Sequence, residues 1–533
     1  MKDELRAAIA NIGKTGDTDV FPHPFETHLF YDDPERVLTL LDTIHMTFDD
    51  YFDARPPYFE QSLLPIGYGG FRWATTIDPL WNSYLLALTL SLFPKIELAR
   101  MPMSDGYVYS YRISEEPHSD RIFREDGWAL FRDRTKDLAD THNFVLSCDI
   151  ADFYGRIYHH RLENGLKRLQ DLGDSTSRIM KILGVLSGGN SYGLPVGGPA
   201  ARILSELVLN PTDRLFRAEG LRFCRFADDY RFFANSMEEA HAIHYMVSEK
   251  LLRLEGLSLQ KSKTRIMTSS EFLLSTDMHD DPDNDDIPDM STRRFLKLSL
   301  RFDPYSPSAY QDYEDLREEV GRFDIVGMLA SELQKSRVHV ALTRRLIRAL
   351  RFLSDPIRDQ AVMSIMASLR VLQPLLTSVL ITVKQLYENL GEKSQQFCYE
   401  AILKALREDS YLFRSEIVKA YAVRVLSARH TYEAEQIVSK MYHESQTDFL
   451  RRDIVLVFAK WRTTHWLSDV RTRFHILGPS ERRAFIVSSF VLGDEGTHWR
   501  RNSKDVFTPF EDAISSWTAD KKSAGLQDWD IPI

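Results

Sequence analysis

The chain has 533 residues, 27% of them charged and 43% hydrophobic, with a net charge of −10. That length exceeds one compact core and suggests about two to four domains. The acidic balance excludes a broad, sequence-independent grip on duplex nucleic acid, which is normally basic, so any nucleic-acid contact is expected to be local.

In chain order, the opening run MKDELRAAIANIGKTG carries charges throughout and lacks the apolar core of a signal peptide. Three cysteines, Cys148, Cys224 and Cys398, are scattered without CxxC spacing, so neither a disulfide framework nor a zinc cage is expected. Both features predict a cytoplasmic protein. The longest apolar stretch, Tyr84 to Phe93, is about half of a bilayer span, so no membrane segment is expected.

The run NFVLSCDI (143–150) reads as a buried strand ending in Asp149, and a helix is expected to follow with Asp152 as its N-cap. A carboxylate at the end of a central strand is costly unless paired, so Asp149 needs a cation. A glycine-rich turn follows at GGNSYGLPVGGP (188–199). In FCRFADDYRFFA (223–234) the residues alternate on both sides of Asp228 and Asp229. Taken alone such a pair is turn chemistry. Two strands meeting there would place it at a tight hairpin tip, available to the same cation as Asp149. Three carboxylates from two strands would make a hard-oxygen site suited to magnesium, the arrangement of two-metal phosphoryl transfer.

The acidic run DMHDDPDNDDIPDM (277–290) fails as a calcium loop, because Asp286 stands where glycine is needed and Thr292 where glutamate is needed. It is expected to be a solvated loop. After residue 305 the texture becomes almost continuously helical, as in HVALTRRLIRALRFLS and RSEIVKAYAVRVLSA, with apolar residues three and four apart. A stacked HEAT-like solenoid or an irregular helical bundle would account for it. The expected fold class is α+β over 1–305, followed by an all-α domain over 306–533.

The order of these segments resembles a reverse transcriptase. Asp149 with Tyr154, then Gly193-Leu194-Pro195-Val196-Gly197-Gly198, then Phe226-Ala227-Asp228-Asp229, then Gly256 through Lys263-Thr264 look like palm motifs A, B, C and D. The resemblance covers roughly residues 60–300 and implies right-hand fingers and palm. It implies that Asp149 and Asp228 ligate magnesium with the Ile150 carbonyl, with Asp229 as the neighbouring catalytic carboxylate. Tyr154 matches the steric gate that favours deoxynucleotides. Gly197 and Gly198 would let backbone approach the base pair or primer terminus, and Lys263 matches the lysine that serves the leaving pyrophosphate. In the fingers, Arg72, Arg112 and the segment 121–124 offer cations for a triphosphate.

Two departures narrow the reading. Val196 stands where the motif commonly carries glutamine, which puts conventional templating in doubt, and Phe226 replaces a common tyrosine without touching metal binding. No zinc-finger spacing, HNH-like cluster or RNase H pattern follows the palm. A palm joined to a helical domain at this length looks like the prokaryotic abortive-infection reverse transcriptases, the AbiK-like, prophage-type group. That resemblance implies phage defence, untemplated DNA synthesis from deoxynucleoside triphosphates and priming from a protein hydroxyl, with 22 tyrosines as candidates. It also implies single-stranded DNA left covalently attached, homo-oligomeric assembly and a phage-encoded trigger. Two other readings stay open: a conventional RNA-templated, retron-like reverse transcriptase, and a palm-inactive helical protein that senses phage.

Overall fold

A computed structural model describes the chain except residues 17, 19, 115–120, 170–172, 277–289, 299, 301–308 and 524–529. The expected boundary at 305/306 and nearly all of the acidic run 277–290 lie outside the described residues. Two compact units are present, one of residues 1–61 and 74–276, the other of residues 62–73 and 277–533. The first mixes helices with strands; in the second, the elements after residue 277 are helical.

Strands β1 (Phe59–Ile66) and β2 (Gly70–Ile77) form a two-stranded ladder. Strands β3 (Phe144–Asp149), β4 (Arg222–Phe226), β5 (Asp229–Ala234) and β6 (Arg265–Thr268) form an antiparallel sheet in the order β4-β5-β3-β6. β3 has a neighbour on each edge and is buried from Val145 to Asp149, so its sequence is a nearly continuous apolar run rather than an alternation.

One face of this sheet presents Val145, Phe233 and Cys224 to Phe131 and Ala139 of helix Gly127–Thr141 and to Phe272 of helix Ser269–Thr276. On the other face Phe223, Tyr230 and Phe232 meet Phe216 of helix Pro199–Ala218, with ring centroids 5.4 to 6.0 Å apart. Such ring pairs add about 0.5–1.5 kcal/mol each beyond the area they bury. The sheet is thus clamped between layers, and its β3 and β4–β5 ends are held in register.

Helix Pro79–Ala99 contains the apolar stretch Tyr84 to Phe93. Asp78 caps it by accepting from the Leu80 N–H at 3.1 Å, and Pro79 occupies its first turn. Helices Lys2–Thr15, Ser175–Leu186 and Pro199–Ala218 surround it, which explains why it is apolar on every side. No described helix is long and apolar enough to cross a membrane. Cys148, Cys224 and Cys398 are free thiols and buried.

In the second unit, helices Val340–Ala349, Leu376–Leu386, Glu416–Leu426, Asp448–Lys460, Pro479–Ser488 and Pro509–Ser523 stack successively in one layer. Helices Ile325–Leu333, Asp355–Ala367, Glu392–Arg407 and Tyr432–Glu444 form a second. Helix Asp448–Lys460 is buried continuously from Phe449 to Leu450 and from Arg452 to Ala459. Its charge Asp453 is accommodated between Arg424 and Arg452, at 2.6 and 2.8 Å.

Candidate active site

Asp149 ends β3, and its partner across the ladder is Asp229, the first residue of β5. Like charges directly opposite one another destabilise a sheet. Two cations relieve this pair. Lys263 Nζ lies 2.9 Å from Asp149 Oδ2, and Arg231 donates to Asp229 Oδ1 at 3.3 Å. Arg231 reaches Asp229 because residues two apart on a strand share a face. Lys263 arrives because the segment before β6 is tied to the end of β3: the Gln260 N–H donates to the Asp149 carbonyl and the Ala151 N–H to the Ser258 carbonyl, both at 2.8 Å.

The β4–β5 hairpin pairs Phe226 with Asp229, which leaves Ala227 and Asp228 as a two-residue tip. The alternation around the aspartates predicted a hairpin with both of them at its tip; the turn falls one residue earlier, and Asp229 is already paired in β5. Ala227 sits at φ +54°, a left-handed conformation costing an L-residue about 1–2 kcal/mol. Backbone held there persists only where its surroundings over-determine it. The tip is stitched to β3, since the Asp228 carbonyl accepts from the Ile150 N–H at 3.1 Å.

Burial, followed by the charges of Asp149 and Asp229, pushes the Asp228 carboxyl up to about 7. Burial also raises Asp149, opposed by its bond to Lys263. For Lys263, burial works against the charge, but the hydrogen bond to Asp149 and the fields of the aspartates outweigh it and raise its pKa. The lysine is therefore held as a cation among carboxylates.

Among the described residues, no group of three or more His, Cys, Asp or Glu side chains is arranged to hold a metal ion. Of the three expected carboxylates, Asp149 and Asp229 are each paired with a cation of the chain, Lys263 and Arg231. Of the two carboxylate charges that raise the buried Asp228 carboxyl, Asp149 acts more strongly than Asp229. Two carboxylate-bearing residues fit magnesium, which commonly takes one or two such ligands and leaves the rest of its shell to water and phosphate.

Tyr154 and the glycine-rich turn come together through the backbone. The Leu194 N–H donates to the Tyr154 carbonyl at 2.8 Å and the Gly193 N–H to the Ile157 carbonyl at 2.9 Å. Gly197 adopts φ +121°, which only glycine enters readily, whereas Gly198 at φ −86° precedes helix Pro199–Ala218 in a conformation open to any residue. The Tyr154 hydroxyl lies 3.4 Å from that of Tyr111, and burial followed by Tyr111 drives its pKa far up. Asp152 does precede helix Phe153–Arg156, but at φ +48° its side chain makes no capping bond.

Arg112 is not free to meet a triphosphate. It is 2% exposed, and its guanidinium is bound to Glu97 at 2.8 Å, Met101 carbonyl at 2.8 Å and Val108 carbonyl at 2.5 Å. Arg72 is exposed on β2, within the segment 62–73 that belongs to the second unit. Arg124 is paired with Asp126 at 2.6 Å, and exposed Arg121 lies 4.0 Å from Glu125. No motif in the sequence singles out Arg231 or a buried set comprising Arg225, Glu206 and Asp213. The available signal was a charged residue inside the apolar alternation of FCRFA, which is costly unless partnered.

Residues 109–296 match the family described as Reverse transcriptase (RNA-dependent DNA polymerase). This segment is a reverse transcriptase domain. It makes the protein a nucleotidyltransferase, and the matched residues include Asp149, Tyr154, the glycine turn, Asp228, Asp229 and Lys263. No curated protein matches the chain. Telomerase from Candida albicans in complex with the TWJ fragment of telomeric RNA is 10% identical, with 79% of this chain and 68% of that chain covered and a TM-score of 0.31. Apo telomerase from Candida tropicalis is 11% identical, covering 72% and 74%, with a TM-score of 0.29. The Candida tropicalis enzyme with the TWJ fragment is 10% identical, covering 76% and 68%, with a TM-score of 0.26.

Proposed function

We propose that this chain is a cytoplasmic antiphage DNA polymerase of reverse transcriptase type that joins deoxynucleotides without a template and primes from one of its own hydroxyls. The observation that carries the polymerase reading is the meeting of Asp149 and Asp228 at the sheet end, inside the reverse transcriptase segment. Untemplated synthesis is supported by Val196, which supplies no polar group where a templating base and nucleotide would be read. The stacked helices of the second unit suit a HEAT-like scaffold in a homo-oligomer that retains single-stranded product and answers a phage-encoded trigger.

Asp149 and Asp228, with the Ile150 carbonyl, would hold Mg²⁺, which when bound supplies positive charge to the attacking hydroxyl and the leaving pyrophosphate. In the bond-forming step a hydroxyl oxygen attacks the α-phosphorus, the bond to pyrophosphate breaks, and the hydroxyl proton leaves to solvent. Lys263, protonated and 2.9 Å from Asp149, donates a proton to the departing pyrophosphate. Tyr154, fixed by Tyr111 and by the turn at Gly193 and Leu194, stands as the gate against a ribose 2′-hydroxyl. Gly197 and Gly198 allow backbone to approach the growing end, and Asp229 lends negative charge beside the pair.

The test is incubation of purified protein with Mg²⁺ and labelled deoxynucleoside triphosphates, with no primer or template, followed by a denaturing gel before and after nuclease. A nuclease-sensitive ladder attached to protein, lost in Asp228→Ala, is expected. Incorporation only with added RNA would replace this reading by a templated, retron-like enzyme. Phage defence that survives Asp228→Ala would favour a palm-inactive sensor.

A further inference from the structure

We infer that Arg225 is a positioning residue for the Ala227–Asp228 tip, acting through a buried ion network that grips the hairpin on both sides of the aspartate pair. The inference rests on the polymerase reading above and deepens it.

Arg225 is 0% exposed, yet all five of its N–H donors have acceptors. Nε donates to Asp213 at 3.0 Å, Nη2 to Asp213 at 2.6 Å and to Glu206 at 2.9 Å, and Nη1 to Glu206 at 3.1 Å. The remaining bond, from Nη1, goes to the Ala227 carbonyl at 2.8 Å. Four of the five donors serve carboxylates; the fifth holds the residue immediately before Asp228. On the other side of the pair, the Tyr230 hydroxyl donates to Asp213 Oδ1 at 2.8 Å. The network therefore touches the hairpin at residue 227 and at residue 230.

Its other members anchor it in the body of the unit. Glu206 and Asp213 are seven residues apart, on one face of helix Pro199–Ala218. Glu206 also accepts from Arg100 and from the Ser110 hydroxyl, each at 2.6 Å. Arg100, Glu206 and Asp213 are 2%, 1% and 1% exposed.

Stability alone does not explain such a cluster, because well-packed apolar residues commonly replace buried ion pairs without loss. An apolar replacement, however, offers no donor to the Ala227 carbonyl. Ala227 is in a left-handed conformation that relaxes unless held, and its relaxation would swing the carboxylate of Asp228. Arg225 lies on the face of β4 that meets Tyr230, away from Asp149 and Asp229, so it acts on the tip from behind.

The test uses the full chain and two substitutions. Arg225→Lys keeps the charge but cannot reach two carboxylates and a carbonyl together. Mn²⁺ binding followed by electron paramagnetic resonance should weaken about 10–100-fold, as expected when a group orienting a ligand is lost. kcat for nucleotide incorporation should fall over the same range while KM for the nucleotide stays within about twofold. Tyr230→Phe, which removes one hydroxyl bond and leaves the ring packing, should shift both quantities in the same direction by less, and it decides the matter if Arg225→Lys does not fold. Wild-type Mn²⁺ affinity and kcat in a folded Arg225→Lys, or in Tyr230→Phe where the lysine variant is unfolded, would overturn the inference while the polymerase reading stands. If the wild-type chain binds no Mn²⁺ that Asp228→Asn removes, the polymerase reading itself fails and takes the inference with it.

Discussion

Asp228 carries a charge that its surroundings resist. Its carboxyl is pushed up to about 7 because burial, Asp149 and Asp229 all disfavour the anion, and Lys263, which opposes the rise, is bonded to Asp149 instead. A carboxyl whose folded pKa lies above its unfolded value binds its proton more tightly when folded. Ionising it therefore costs stability, and the cost grows between pH 4 and pH 7 and is constant above. Asp228→Asn should raise the stability of the metal-free chain by about 1–3 kcal/mol at pH 8 and by little at pH 4, read from melting curves at both. The same variant should lose nucleotide incorporation by about 10³-fold, since several kcal/mol of charge stabilisation depend on that ligand. Asp149, Asp228 and the glycine turn were legible in the sequence because residue type and spacing carry their chemistry. Arg225 was not, because its acceptors lie 12 and 19 residues earlier on a helix, and periodicity does not say which helix face meets which strand.

At the scale of elements, the β4–β5 hairpin followed from its alternation, but its left-handed alanine did not. Nothing in FADDY marks Ala227 as the strained position, since alanine is not a residue that favours φ > 0. Ala227→Val should destabilise the protein by about 1–3 kcal/mol, because a β-branched side chain tolerates that conformation worse still, and denaturant unfolding would measure it. In the helical unit, Lys384 of helix Leu376–Leu386 bonds the Ser427 hydroxyl at 2.9 Å, and burial, then Lys460 and Arg424, lower its pKa to about 8. The folded state holds this proton less tightly than the unfolded chain, so stability rises with pH from about 8 to above 10. Lys384→Met should then stabilise the protein at pH 7, on the order of 1–2 kcal/mol after allowing for partial exposure and the lost Ser427 bond, and the gain should vanish near pH 11. Thermal melts of both proteins across that range would show it.

For the whole molecule, two units with separate cores make a single cooperative transition unexpected. Calorimetry should resolve a measured enthalpy larger than the van't Hoff enthalpy. Asp228→Asn should move only the transition of the unit holding the sheet, and Lys384→Met only that of the helical unit. With a net charge of −10, random duplex DNA should bind weakly at physiological salt, with a Kd no tighter than the 10⁻⁴–10⁻⁶ M common for non-specific contacts, testable by fluorescence anisotropy.

By itself the sequence determined the kind of chemistry and the order of its parts. A strand-borne aspartate, a glycine turn, an aspartate pair and a lysine succeed one another along the chain, and each is a local pattern that needs no partner to be read. Its change of texture also separated a mixed region from a helical one. Only the tertiary structure decided which charges answer which. It set Lys263 on Asp149 and Arg231 on Asp229, withdrew Arg112 into an internal bond with Glu97, and put a guanidinium behind the tip of Asp228. The physical reason is that an ion pair depends on distances of about 3 Å between elements far apart in sequence, whereas periodicity and motif report only what neighbours along the chain share.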